Sequence, residues 1–257
     1  MLWPLWNRAF ESRQKKPLIN DPWSCQLVED IDYDFLASFG KPNRFHGVRS
    51  RVCDDLVADF LRRHADNVCI VALGEGLETQ YWRLGEPDIP WYSVDLPESI
   101  ATRQRLLPAA PNVNHLAYSA LDFAWMDKIP MGVKPFISAM GLLMYFSETE
   151  VRELFAKIAD RFPCAEVFFD AIPPVFSRKT LAGHKITPNY TAPAMPWGIS
   201  IADIVEFFST IVGVEPVSAR TYAEPYPAVL PIYFLLSKIT PIRRHLAPSL
   251  VHVRVQK

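Results

Sequence analysis

The reading of this chain turns on "VCIVALGEGLETQYWRL", residues 68–84. It opens with apolar, largely β-branched residues, the pattern of a strand buried on both faces. It then meets Gly74 and Gly76 and continues in polar residues at helical spacing. Glycine reaches backbone conformations closed to other residues and lets a ligand approach the main chain. The chain has only 10 glycines against 23 prolines, so two of them one residue apart at a strand end call for a cause. A dinucleotide, a nucleoside triphosphate and S-adenosylmethionine all use a turn of this kind.

Working outward, residues 67–73 are a first strand, 90–96 a second, 112–119 a third, 134–146 a fourth followed by a turn, and 165–172 a fifth. Pro97 starts a helix over 97–107, where proline is tolerated at the first position. Ser147 and Glu150 have capping-box spacing at the head of a helix over 147–162. A further helix spans 200–211, with strands at 214–220 and 250–256. The last alternates Val251, Val253 and Val255 with polar residues, which predicts a half-exposed antiparallel strand. Upstream, residues 1–60 read as helical with loops: one helix over 25–39 and another over 50–64 with Ser50 as its N-cap. Buried strands alternating with amphipathic helices predict an α/β, Rossmann-like fold. Its sheet is seven-stranded and mostly parallel, with helices on both faces and an antiparallel last strand. The expected organisation is a single domain over 1–257, with an N-terminal helical cap (1–64) and a core (67–257). Residues 173–198, rich in proline and aromatics and without a clear period, form a lid-like insertion; long irregular segments in compact domains tend to be functional.

Composition narrows the partners. The formal net charge is −1, from 27 basic and 28 acidic side chains, without the basic excess of a nucleic-acid binder. Cys25, Cys53, Cys69 and Cys164 show neither CxxC pairing nor metal spacing, so no metal site is expected and the thiols read as reduced. No apolar run reaches membrane-spanning length, and the first residues lack the pattern of a leader. The expectation is a cytoplasmic protein with a small-molecule partner, without nucleic acid or membrane; the oligomeric state is left open.

In open parallel sheets, ligands bind beyond the carboxyl ends of the strands, where strand order reverses. The dinucleotide fingerprint needs a third glycine where this chain has Thr79, and the phosphate loop needs a Gly-Lys-Ser/Thr run that is absent. Glu75 and Glu78 add negative charge to the loop, which suits a cation better than a pyrophosphate. Asp95, with Leu96 beside it, follows Gly74 by about 20 residues, the place of an acid that holds ribose hydroxyls. Asp122 ends the third strand where it can accept from an adenine amino group, and Phe123 can pack on the base. Two such acids without a phosphate site fit S-adenosylmethionine, with Arg49 for its carboxylate. Each acid could instead cap the helix that follows it.

The segments "VRSRVCDDLV", "LGEGLETQYWRL", "WYSVDLPE", "SALDFAWMD", "GLLMYFSETEV" and "RFPCAEVFFD" resemble the leucine carboxyl methyltransferase family, in particular its bacterial polyketide-type O-methyltransferase branch. The resemblance covers nearly the whole chain. It implies that Arg49 binds the methionine carboxylate, Gly74 and Gly76 shape the loop, Asp95 holds the ribose, and Asp122 with Phe123 frames the adenine. The chain departs from the family pattern at Glu75, Glu78 and Gln80, where a small residue, Asp and Arg are commoner. It also has Met140 where an acid is common, so Glu75 is expected to take over that acid's contact with the cofactor's amino group.

The expected function is S-adenosylmethionine-dependent transfer of a methyl group to a carboxylate or phenol of a small metabolite. Two other functions compete with it: binding of the same cofactor with lost or redirected chemistry, and a nicotinamide dehydrogenase, which Thr79 disfavours. A carboxylate acceptor needs no general base, whereas a phenol benefits from one. His184 in the insertion is the first choice for base or substrate contact, and Tyr145 is a second residue expected at the pocket.

Overall fold

The computed structural model describes residues 1–64 and 66–256. Helices α1 (Leu2–Ser12), α2 (Pro22–Asp30), α3 (Phe35–Phe39) and α4 (Phe45–Arg63) build an N-terminal cap. The core follows as β1 (Val68–Leu73), α5 (Gln80–Arg83), β2 (Trp91–Asp95), α6 (Pro97–Leu106), β3 (Val113–Ala117), β4 (Lys134–Ala139), α7 (Glu148–Arg161) and β5 (Glu166–Ala171). It continues through α8 (Pro174–Leu181), the short hairpin β6 (Lys185–Thr187) and β7 (Tyr190–Thr191), α9 (Ile204–Ser209), β8 (Val214–Thr221), α10 (Pro231–Ser237) and β9 (Ser249–Val255).

The main sheet has seven strands in the order β3-β2-β1-β4-β5-β9-β8. The first five run parallel, and β9 lies antiparallel to both β5 and β8. The chain leaves β1 towards β3 and returns to β4 on the other side of β1, so strand order reverses there. All six residues of β1 are buried, as its sequence demands. One sheet face packs on α7 and α9 through Phe155, Phe169 and Phe208. The other packs on α4, whose Cys53, Val57 and Phe60 recur at helical spacing, with Phe60 against Phe136 at 5.6 Å. The capping box at Ser147 and Glu150 is formed. All four cysteines are free, and burial pushes the Cys69 thiol up to about 12.

Four expectations need correction. Residues 25–39 form two helices, because Asp21 caps the first through Ser24 N and Asp34 caps the second through Ala37 N. The helix expected from Ser50 starts at Phe45, and Ser50 is an interior residue whose hydroxyl donates to Glu78 (3.3 Å). The insertion 173–198 has secondary structure of its own, α8 and the β6–β7 hairpin. The final strand is almost wholly buried, because β8 and not β9 forms the sheet edge.

His252 of β9 is buried against a charge. Glu166 accepts a two-point hydrogen bond from Arg63 (2.8 and 2.9 Å) and lies 2.9 Å from His252 Nε2. Burial alone would raise its pKa, but the bonds from His252 and Arg63 outweigh this and hold it at about 2. The native value is below the unfolded one, so the contribution is complete above the unfolded carboxyl value of about 4.3. Stability is therefore expected to fall as pH drops from there through about 2. Urea melts over that range should show the decline, and Glu166→Gln should flatten it.

Candidate functional site

A cavity of about 1050 Å³ opens at the carboxyl ends of β1, β4 and β5, where strand order reverses. Its floor is the glycine turn, with Met140 and Gly141 after β4 and Asp170 at the end of β5. α1 and α4 wall it on the cap side, and α8 with the hairpin on the other. The cap and the hairpin meet over it: Thr187 Oγ1 donates to the Ser38 carbonyl (2.7 Å), and Tyr190 packs edge-on against Phe39 (4.9 Å).

Gly74 and Gly76 both have left-handed backbones, φ 63° and 52°. Their missing side chains matter for different neighbours. A Cβ on Gly74 would lie 2.8 Å from Leu142, and one on Gly76 2.7 Å from Met1 Cγ. The space over Gly76, expected to serve a ligand, is thus shared with the Met1 side chain. Asp95 clamps the turn, accepting from Gly76 N and Leu96 N, both at 2.8 Å.

Arg49 is buried in the cavity wall with Nη1 on Asp170 (3.0 Å), while its Nε has no partner among the described residues. Asp170 also accepts from Tyr222 OH (2.8 Å) and Gly141 N (2.5 Å). Gly141 has a left-handed backbone (φ 69°) that favours glycine, and a Cβ there would lie 2.8 Å from Arg49 Nη1.

The two loop acids, expected to bias the site against phosphate, are both committed to arginines. Glu75 accepts from Trp91 Nε1 (3.2 Å) and pairs with Arg103 (3.1 Å). Glu78 pairs with Arg83 and with Arg8 (3.2 Å). Burial would raise the pKa of Glu78, but Arg8 and Arg83 prevail and hold it well below the carboxylate range. Arg8 also donates to the Leu77 carbonyl (2.6 Å) and pairs with Asp21 (3.2 Å), which ties α1 to the loop. Asp21 in turn accepts from Thr79 Oγ1 (2.7 Å), so the residue in the third-glycine position has a structural partner of its own.

Of the expected site residues, Arg49, Gly74, Glu75, Gly76, Met140 and Tyr145 line one cavity, whereas Asp95, Leu96, Asp122 and Phe123 do not line it. Asp122 is exposed and caps the turn that follows by accepting from Ala124 N (3.2 Å), the plainer of its two roles. Phe123 packs at the edge of the main core. His184 is also outside the lining; its ring lies edge-on to Phe176 at 5.6 Å, since the hairpin turns it behind α8. Tyr145 keeps an exposed ring, and partial desolvation raises its pKa. His46, Asp170 and Tyr222 are among the lining residues that were not anticipated. His46 precedes Arg49 by three residues on a helix, hence shares its face. Asp170 is a strand-end acid like Asp95. Tyr222 has no local signature.

Comparison with known proteins agrees with this architecture. The leucine carboxyl methyltransferase family model matches residues 2–159, more than half of the chain. The tetracenomycin polyketide synthesis O-methyltransferase TcmP of Streptomyces glaucescens is 30% identical over 75% of this chain and 71% of its own. Among solved structures, a Thermobifida fusca YX protein superposes with TM-score 0.59 at 14% identity, covering 100% of this chain and 95% of its own. The plantazolicin methyltransferase BpumL in complex with SAH gives 0.55 at 11% identity, with 100% and 96% covered. At such identities the structural likenesses establish the fold. The chain belongs to the leucine carboxyl methyltransferase family.

Removing one member of a buried ion pair strands the other. Glu78→Leu leaves Arg8 and Arg83 each short of a carboxylate, and a loss of about 3 kcal/mol in urea-unfolding stability is expected.

Proposed function

We propose that the cavity holds S-adenosylmethionine beside the glycine turn and that a small acceptor enters from the α8 and hairpin side. As a member of its family, the chain is an S-adenosylmethionine-dependent methyltransferase. The acceptor atom we assign is an oxygen, a carboxylate or a phenol of a small metabolite. The observation that carries this reading is the buried Arg49, its Nε unpartnered, in one cavity with Gly74 and Gly76 at the reversal of strand order. The cofactor, when bound, supplies an electrophilic methyl on a sulfonium. Arg49 would take the methionine carboxylate by charge-assisted hydrogen bonds. Asp95, beside Gly76, remains the assigned ribose partner, and Asp122 with Phe123 the adenine side; both would require the cofactor to extend from the cavity past Met1. For the amino group we prefer Asp170 to Glu75, because Asp170 faces the cavity beside Arg49, while Glu75 gives one oxygen to Arg103 and Trp91 and keeps the other buried out of contact with the cavity space. The protein's further contribution is to align acceptor, methyl and sulfur and to exclude water. Among the described residues no helix is long and apolar enough to cross a membrane. With its free thiols this favours a cytoplasmic site of action.

Calorimetry with S-adenosylmethionine and with NAD should show saturable binding of the first alone. Labelled methyl should reach members of a panel of aromatic carboxylates and phenols; saturable binding without any transfer would favour a binding protein instead. Arg49→Lys, which keeps a charge for Asp170 but loses the planar fork, should weaken S-adenosylmethionine by about tenfold, the scale of one charge-assisted hydrogen bond. Glu75→Gln should leave that affinity nearly unchanged, whereas Asp170→Asn should reduce it.

A further inference from the structure

We propose that His46, fixed by Asn7 as the Nε2–H tautomer, is the hydrogen-bond donor that receives an acceptor already present as an oxyanion. The proposal rests on the methyl-transfer reading above and adds the residue that selects the acceptor.

The tautomer follows from a closed chain of hydrogen bonds. Asn43 Oδ1 accepts from Phe45 N (3.1 Å), which identifies that atom as oxygen. Asn7 Oδ1 accepts from Asn43 N (3.1 Å), so the other terminal atom of Asn7 is its nitrogen. That nitrogen has two N–H groups: one donates to Asn43 Oδ1 (3.2 Å), the other to His46 Nδ1 (2.7 Å). Nδ1 must therefore present a lone pair, and a neutral imidazole then carries its proton on Nε2. The one hydrogen bond of the ring among the described residues is at Nδ1, so Nε2 is free, and His46 lines the cavity. Asn7 is itself completely buried, so the arrangement is built in and not a surface accident.

Protonation is resisted from several sides. Adding a proton at Nδ1 would set two N–H groups against each other. Burial disfavours the charged ring most, Arg49, Arg8 and the Met1 ammonium add to this, and Glu78 alone favours it. Nδ1 is occupied, so the ring has no lone pair to offer the cavity. It can donate a hydrogen bond there but cannot take a proton.

The other ionisable groups of the cavity do not fill that gap. Glu78 and Asp170 are held by arginines, Glu75 is held by Arg103 through one oxygen while its other oxygen is buried away from the cavity space, and partial desolvation raises the Tyr145 phenol. A phenolic acceptor would have to lose a proton, and no unpaired carboxylate oxygen is exposed there to take it. A carboxylate needs none. Its oxygen bonds to the methyl carbon as the carbon–sulfur bond breaks, the bonding pair stays on sulfur, and anion and sulfonium charges cancel with no proton released. Lys179 lines the same cavity and has no ion-pair partner among the described residues, which adds a positive charge for such an anion. Around His46 the wall is aromatic: Trp3 stands edge-on to it at 5.9 Å and stacks on Phe39 at 6.0 Å. An aromatic carboxylate fits both features.

The test uses the full chain with S-adenosylhomocysteine and naphthoate as the probe. Ring-nitrogen NMR should report His46 as the neutral Nε2–H form at every pH between about 5.5 and 8, the range in which an unperturbed histidine titrates. Naphthoate should bind more tightly than naphthol. His46→Phe should weaken naphthoate by about tenfold, and His46→Gln, which restores an N–H, should stay within about threefold of the parent, in line with one hydrogen bond to a charged group. S-adenosylhomocysteine affinity should be the same in all three proteins. A His46 that titrates normally, or that carries its proton on Nδ1, overturns the proposal, as does naphthoate binding indifferent to His46→Phe. Absence of S-adenosylhomocysteine binding in the parent is a separate result: it overturns the cofactor reading and this inference with it.

Discussion

The glycine turn after β1 carries two carboxylates, Glu75 and Glu78, that are both buried. A buried carboxylate left alone costs several kcal/mol, a large part of the stability of a whole domain. The turn can therefore close only where cations reach it, and they come from three elements. Arg103 arrives from α6, Arg83 from α5 and Arg8 from α1. Asp21, the N-cap of α2, and Asp54 of α4 then balance the arginines. The N-terminal cap is thus not an appendage: its first helix supplies part of the charge balance without which the central loop would not be stable.

That constraint also shapes the cavity. Arg8 holds α1 against the loop, and this fixes Met1 over Gly76 and Trp3 against His46. α4, packed on the sheet through Phe60, presents His46 and Arg49 from one face, one turn apart. The hairpin completes the enclosure by bonding to the end of α3. The result is a mostly apolar chamber whose charged side chains, apart from Lys179, are held in ion pairs, with Arg49 buried in its wall. In such surroundings an electrostatic contact to a cofactor or acceptor is stronger than it would be in water.

Much of the core could be read locally. The strand positions, Pro97 at a helix start and the Ser147 capping box depend on residues within a few positions of one another, and they are where periodicity and capping rules place them. The cavity lining was legible where a residue sits at the tip of a strand or in the turn beside it, as with Gly74, Gly76 and Met140. It was less so where partners come from far along the chain. His184 looked prominent in an irregular segment, but the hairpin takes it out of the cavity. His46 looked ordinary because its role depends on Asn7, 39 residues away.

By itself the sequence determined the α/β class, the parallel order of buried strands and the place of the ligand turn, since these follow from side-chain period and backbone freedom. Only the tertiary structure decided which charges remain free to act. Glu78 is held by two arginines and Glu75 by one through a single oxygen, Asp122 accepts from Ala124 N, and Arg49 and Asp170, 121 residues apart, pair in the cavity wall. Charge pairing and hydrogen bonding act through space, so a carboxylate's availability is not encoded at its own position. It depends on which distant arginine the fold brings alongside.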